Sequence, residues 1–371
     1  MAVHQGQRGL GHQARTGWAA QGDGGADTTP DPFALGDAGA CAPGATYESA
    51  AITVGGIDAP AALSVTGGDY AINGGGWASA ATTVGAGDVV KVRGVASASL
   101  ATALDVGLQI GGVADTFTIT TVAHAETAAL IGRFAADPGA TRRGLIDALI
   151  GALKAAGLWA KIDVLHVYAA HDGQAAALNW VSTSYAASPQ ASPTFTADRG
   201  YAGDGSGTFI NTGLANNATG VNWQAASALA TFGVGVNVAG TVGANNHVFG
   251  LNGGAASVRF NPYNGTGAQG RFLATSDQSF TNGAGRVGRY LVTRDAGGQA
   301  GYRNGALMST AAPGTPSVNG AGLALLRSNT TFSDSRVSFA MIGGGAAIWT
   351  ATEAANFDAA MDAYLAAVGA N

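Results

Sequence analysis

Between residues 209 and 344 the chain carries nine short apolar segments in succession, with no helix-length pattern between them. They read FINTGL (209–214), LATFGVGVNV (229–238), HVFGL (247–251), SVRFNPY (257–263), GRFLATS (270–276), GRYLVTR (288–294), QAGYRNGALM (299–308), GLALLRS (322–328) and VSFAMIGG (337–344). Consecutive strands without crossover helices bury their apolar faces by packing sheet on sheet, which predicts a two-sheet jelly roll over 191–371. Asn304-Gly305 is the strongest hairpin signal, because a type I′ turn needs positive φ at both central residues. The composition agrees. The chain holds 59 glycines and 10 prolines, is 47% apolar and only 11% charged, which suits short strands and tight turns and not a disordered polymer. So little charged surface also suits a protein whose neighbours in an assembly cover part of it.

Upstream, period-two segments such as AITV (51–54), ALSV (62–65), VVKVR (89–93) and DTFTITTV (115–122) alternate with glycine-rich turns. They predict an antiparallel sandwich over 47–123, with Tyr70, Ile72, Trp77 and Phe117 in its core. Residues 1–46 show no hydrophobic period and are expected to be a disordered tail in the isolated chain, or an extended attachment arm if the protein belongs to a particle. Trp18 and Phe33 would be its anchors, and Arg8 and Arg15 its polar clamps on a partner. Residues 124–190 are expected to be a helical linker. Leu145, Ile146, Leu149, Ile150 and Leu153 share one helix face, Asp137 or Thr141 is the cap, and Gly157 the stop. KIDVLHVYAAHDGQAAALNWV (161–181) adds a strand and a helical or irregular connection. A last helix would bury Phe357, Met361, Tyr364, Leu365 and Val368, capped by Thr350 or Thr352 and ended by Gly369.

The entry FTADRGYAGDGSGTFINTG, the hairpin YRNGALM and the late SFAMIGGGAAIWTATEAANFDAAMDAYLAAVG resemble the concanavalin A-like lectin/glucanase superfamily, the laminin-G-like jelly rolls. ITVGGIDAPAALSVTGGDYAINGGGW, TVGAGDVVKVR and IGGVADTFTITT resemble an immunoglobulin-like repeat of bacterial and phage surface proteins. The tandem of helix, AKIDVLHVYAAHDGQAAALNW and PTFTADRGYAGDGSG is similar to structural proteins of tailed phages and gene transfer particles. These resemblances imply a mainly β chain: N-terminal arm, Ig-like β-sandwich, linking helix, and a concanavalin-like jelly roll with a C-terminal helix. They imply a virion structural protein of head-spike, decoration or tail-fibre type, located on the virion surface. It would dock by its arm and present a carbohydrate-binding jelly roll to host-surface or capsule polysaccharide. The implied partners are other virion proteins, a host polysaccharide and further copies of the chain. The alternatives are a polysaccharide-degrading tail enzyme and a free carbohydrate-binding lectin.

Reactive chemistry is sparse. Six histidines form no metal motif, and Cys41, the single cysteine, allows neither an internal disulfide nor a cysteine zinc site. No glycine-rich run is followed by the Lys-Ser/Thr of a phosphate loop. The glucanase branch of the superfamily carries its catalysis on a Glu-x-Asp-x-x-Glu strand, whereas here Glu353 is the one glutamate after residue 190. No catalytic residue, metal or cofactor is therefore expected. Asp198 and Asp204 are too few oxygens for a calcium loop, so TFTADRGYAGDGSGTFINTGL (194–214) is expected to be a turn entering a strand. The start of the chain has no apolar core of a signal peptide, and no stretch of ~18 apolar residues would span a membrane. Nucleic acid is not an expected partner, since basic and aromatic residues are not interleaved in a binding module. Residues 199–303 carry seven arginines against three aspartates, a candidate basic stripe for an acidic polysaccharide or subunit. Arg259 and Arg271 from that set, with Trp223, Tyr263 and Tyr290 as stacking rings, are the candidate carbohydrate-binding residues.

Overall fold

The computed structural model describes residues 25–219, 221–224, 229–241, 246–253, 258–273, 277–280, 285–312, 318, 320–345 and 349–371. The chain is mainly β and ends in a helix. It divides into two units, described separately. One comprises Met1–Gly36, Glu48–Gly94 and Asp105–Phe117, the other Asp37–Tyr47, Val95–Leu104 and Thr118–Asn371.

In the first unit, Ala61–Thr66 pairs antiparallel with Thr82–Val84 on one side and, through Leu63↔Ile110 and Val65↔Leu108, with the strand ending at Ile110 on the other. A second layer centres on Val89–Val95, which pairs with Ile52–Thr53 and Asp69–Ile72. The alternation that predicted these strands sends Leu63, Val90, Val92, Val106, Leu108 and Phe117 inward. Tyr70 is buried as expected, but Ile72 and Trp77 are only half-buried, because Trp77 follows the exposed glycines of a hairpin turn. From residue 25 the expected arm is built into folded structure. The Asp31 N–H donates to the Gly55 carbonyl at 2.9 Å, Leu35 is fully buried, and its N–H donates to Asp115 at 2.7 Å. Phe33 is half-buried beside it, whereas Arg8, Arg15 and Trp18 lie outside the described residues.

In the second unit, Ala38–Cys41 runs parallel to the end of Val113–Thr121 through Ala38↔Ile119 and Cys41↔Thr121. Residues 124–190, expected as a linker, supply helix α1 (Ala125–Ile131), helix α2 (Ala140–Ala155), the strand Ile162–Val167 and the short helix α3 (Gly173–Ala177). Gly139, with φ of 83°, stands at the N-cap of α2 in place of Asp137 or Thr141. Asp137 instead accepts from the Gly139 N–H and the buried Arg143 guanidinium. Gly157 stops the helix at φ of 69°.

Two sheets make the jelly roll. One runs Thr194–Thr196, Gly200–Ala202, Arg336–Gly343, Ala230–Val238, Gly288–Arg294, Gln299–Arg303, Ala306–Ala311, and Ile162–Val167 also pairs with Arg336–Gly343. The other runs Ser188–Gln190, Phe209–Ala215, Gly322–Leu325, Phe249–Leu251, Val258–Asn261, Ala268–Phe272, Gln278–Phe280. Asn304 and Gly305 turn the predicted hairpin with φ of 48° and 74°. Between the sheets the Phe232 ring stacks on Phe249 at 4.3 Å and meets Phe272 edge-on at 5.0 Å. The first sheet's other face is covered by α2 and by helix α4 (Ala351–Ala367), where Phe357 packs on Phe339 and Trp349, and Tyr364 on Trp180. Thr350 and Glu353 form the capping box of α4. Among the described residues no helix is long and apolar enough to cross a membrane.

Phe232 touches the facing sheet through three aromatic rings. Truncating Phe232→Ala should cost about 3–5 kcal/mol, read as a lower midpoint in denaturant titration.

Candidate functional site

The structure separates the five candidate carbohydrate contacts. Trp223 is 0% exposed and packs on Phe272 at 5.7 Å, while Tyr290 is 1% exposed between Phe260 and Arg303. Neither has an open face for a sugar ring, because the core of the sandwich needed both rings. Burial also lifts the Tyr290 hydroxyl to about 12. Arg259 and Arg271 both turn to Asp277, Arg271 at 3.3 Å. Burial pushes the Asp277 carboxyl up, but the two guanidinium groups outweigh it and hold it below its ordinary range. Of the five, Tyr263 lies at a surface depression.

The arginines of the candidate basic stripe are dispersed. Arg289 is bound to Asp358 at 2.8 Å and Asp362 at 2.7 Å and so pins α4. Arg294 is buried and donates to the Phe272 and Leu273 carbonyls, and Arg199 donates to the carbonyls of Val368 and Gly369. These arginines close loops and helix ends inside their own unit.

The depression that holds Tyr263 is lined by Gly240, Thr241, Asn246, Asn261, Pro262, Arg286 and Ser335. It is shallow, with a volume of about 10 Å³. Asp334 fixes its wall by accepting from the Thr241 N–H at 2.8 Å, the Thr241 hydroxyl at 2.5 Å and the Asn246 amide at 2.7 Å. Burial raises the Asp334 carboxyl, yet these donors leave it below the ordinary carboxylate range. The Gly240 N–H donates to the Ser335 hydroxyl at 3.1 Å, and its carbonyl accepts from the exposed Arg286 guanidinium at 3.0 Å. A Cβ on Gly240 would stand 2.3 Å from Asp334 Oδ1, so glycine is required by close approach. Asn261 orients Tyr263 by accepting its N–H at 3.0 Å. The result is a rigid set of hydroxyl, amide and guanidinium groups around one phenol, the kit that meets a hydroxyl-rich ligand. Arg286 was legible only as part of a charge count. Asp334, Thr241 and Asn246 carried no sequence signal, since they meet only when loops far apart in the chain converge.

The remaining carboxylates and histidines near the jelly roll's entry have structural work. Asp204 accepts from the N–H groups of Thr208, Gly207 and Ser206, which hold its carboxyl far below the ordinary range, so the glycine-rich entry is a closed turn. Asp198 binds Arg142. Asp172 caps α3 through the Ala175 N–H at 2.7 Å, and His171 lies against the Ala136 carbonyl at 3.2 Å. His166 is wholly buried. The Tyr185 carbonyl can only accept, so Nε2 donates to it at 2.8 Å and Nδ1 faces the Tyr168 hydroxyl at 3.3 Å. Among the described residues no group of three or more His, Cys, Asp or Glu side chains gathers as a metal site.

No family model and no curated protein matches the chain. Solved structures with a similar course of chain include domain 4 of AbnA, an extracellular arabinanase of Geobacillus stearothermophilus, at 11% identity and TM-score 0.37, over 53% of this chain and 98% of that one. The sialidase of Trypanosoma rangeli aligns at 11% identity and TM-score 0.40 over 70% of this chain. The binding domain of botulinum neurotoxin serotype D aligns at 10% identity and TM-score 0.37 over 56% of this chain. The chain spans 43% of the sialidase and 52% of the neurotoxin domain.

Burial pushes the His166 pKa down to about 4. An unfolded histidine titrates near ~6.5, so as pH falls the unfolded chain takes up the proton first. The stability that neutral His166 contributes is full above that value and declines toward about 4. Thermal melts from pH 7 to pH 5 should fall more steeply for the wild type than for His166→Gln.

Proposed function

We propose that the chain is a non-catalytic binding protein displayed on a virion surface, whose jelly roll contacts host polysaccharide through the Tyr263–Arg286 depression. The observation that carries this reading is the depression itself, with prearranged polar groups around a half-buried tyrosine. Its shallowness means weak binding per copy. Weak sites become effective when many copies are held at high local concentration on one symmetric particle, which fits a head-spike, decoration or fibre component present as an oligomer. Docking to other virion proteins falls to the N-terminal residues in this reading, and no cofactor is involved.

Binding without hydrolysis is supported by how the carboxylates are used. Glycoside cleavage needs two carboxyl groups free to flank a scissile bond. Here Asp163 accepts from the N–H groups of Asn222 and Trp223, Asp334 from Thr241 and Asn246, Asp358 from Arg289, and Glu353 binds Lys161 and caps α4.

Tyr263→Ala and Arg286→Ala should each weaken retention on purified capsular polysaccharide by about tenfold, with unchanged melting temperature. Release of oligosaccharide by the wild-type chain, or unaltered retention of both variants, would reject the reading. Mass spectrometry of purified particles tests the virion assignment, which requires the chain in stoichiometric amounts.

A further inference from the structure

The first unit holds a larger cavity than the jelly roll's depression, and it is a separate feature. It measures about 350 Å³ and is lined by Glu48, Ala71, Gly75, Trp77, Val89 and Lys91. Trp77 follows the turn made by Asn73 and Gly74, whose φ angles are 52° and 70°. The glycines before it lack side chains, so that wall stays low and the indole stays half-exposed. The Arg93 guanidinium covers part of the indole, 4.6 Å from its centroid, and is held there by Asp69 at 2.9 and 3.0 Å. Across the cavity Lys91 and Glu48 form a 3.2 Å ion pair, with side chains 43% and 48% exposed. Val89 adds an apolar surface, itself 38% exposed.

We propose that this cavity is a second sugar-binding site, which takes a neutral pyranose stacked on Trp77 with its hydroxyl groups shared between Glu48 and Lys91. An indole backed on one side by a fixed guanidinium is a rigid platform for the apolar face of a sugar. Glu48 supplies acceptors and Lys91 donors, and their charges cancel, so the site complements a ligand rich in hydroxyls and without net charge. The volume lies at the lower end of ligand cavities, ~300–1,000 Å³, and suits a mono- or disaccharide. A proline-rich peptide is the weaker fit, because such helices dock in grooves lined by several aromatic rings, and Trp77 is the single one here.

The test is saturation-transfer NMR on the full chain with maltotriose, cellotriose and N,N′-diacetylchitobiose. At least one sugar should receive saturation, and Trp77→Ala should weaken it by about tenfold while Tyr263→Ala leaves it unchanged. Lys91→Ala, at an exposed pair, keeps the fold and should weaken the same sugar about threefold. The proposal is overturned by no transfer to any of the sugars, by transfer that neither Trp77→Ala nor Lys91→Ala reduces, or by Trp77-dependent binding of a decaproline peptide without sugar binding. Should Trp77→Ala fail to fold, the Lys91→Ala result decides alone. Loss through Tyr263→Ala with Trp77→Ala silent would uphold the jelly-roll site and reject this one.

Discussion

The second unit is organised by one strand that has no free edge and no free face. Arg336–Gly343 pairs with Ala230–Val238 along one side and with Ile162–Val167 and Gly200–Ala202 along the other. One face looks into the aromatic seam between the sheets, and the other sends Phe339 and Met341 under the helices. A strand buried on both faces must read as a near-continuous apolar run, and VSFAMIGG does. Its ends then set the useful surface: just before it lie Asp334 and Ser335, which shape the Tyr263 depression.

Charge is scarce in this chain, and the fold consumes most of what the second unit has. Arg143 is buried and donates to the Ala40 carbonyl at 2.7 Å, with Asp137 as its counter-ion. Arg142 bridges Asp198 and the Tyr364 hydroxyl, and Lys161 meets Glu353 at the head of α4. Guanidinium groups suit this task because their fork of donors satisfies several carbonyls at loop and helix ends.

The sequence was most readable where local pattern and tertiary demand coincide. Gly288–Arg294 has the ends predicted for it, the Asn304-Gly305 hairpin stands, and α4 is capped by Thr350 and buries Phe357, Met361, Tyr364 and Leu365 of the predicted face, with Val368 half-buried at its end. Short edge strands such as Ser188–Gln190 and Gln278–Phe280 escaped, because three residues hold too little alternation to detect. The candidate site was barely legible. Trp223 and Trp77 look alike as letters, yet one fills the core and the other flanks an exposed turn, and only the order of packing decides which. Arg289 likewise looks like part of a basic run until Asp358, 69 positions away, is brought beside it.

The polypeptide passes between its two units five times. The N-terminal module is therefore not a bead threaded on a string. A gene fragment that carries all of it also carries Asp37–Tyr47 and Val95–Leu104 of the other unit, and a cut at any junction among them leaves pieces of both. Closing contacts such as Leu35 to Asp115, 80 positions apart, also add the entropy of non-local loop closure to its assembly.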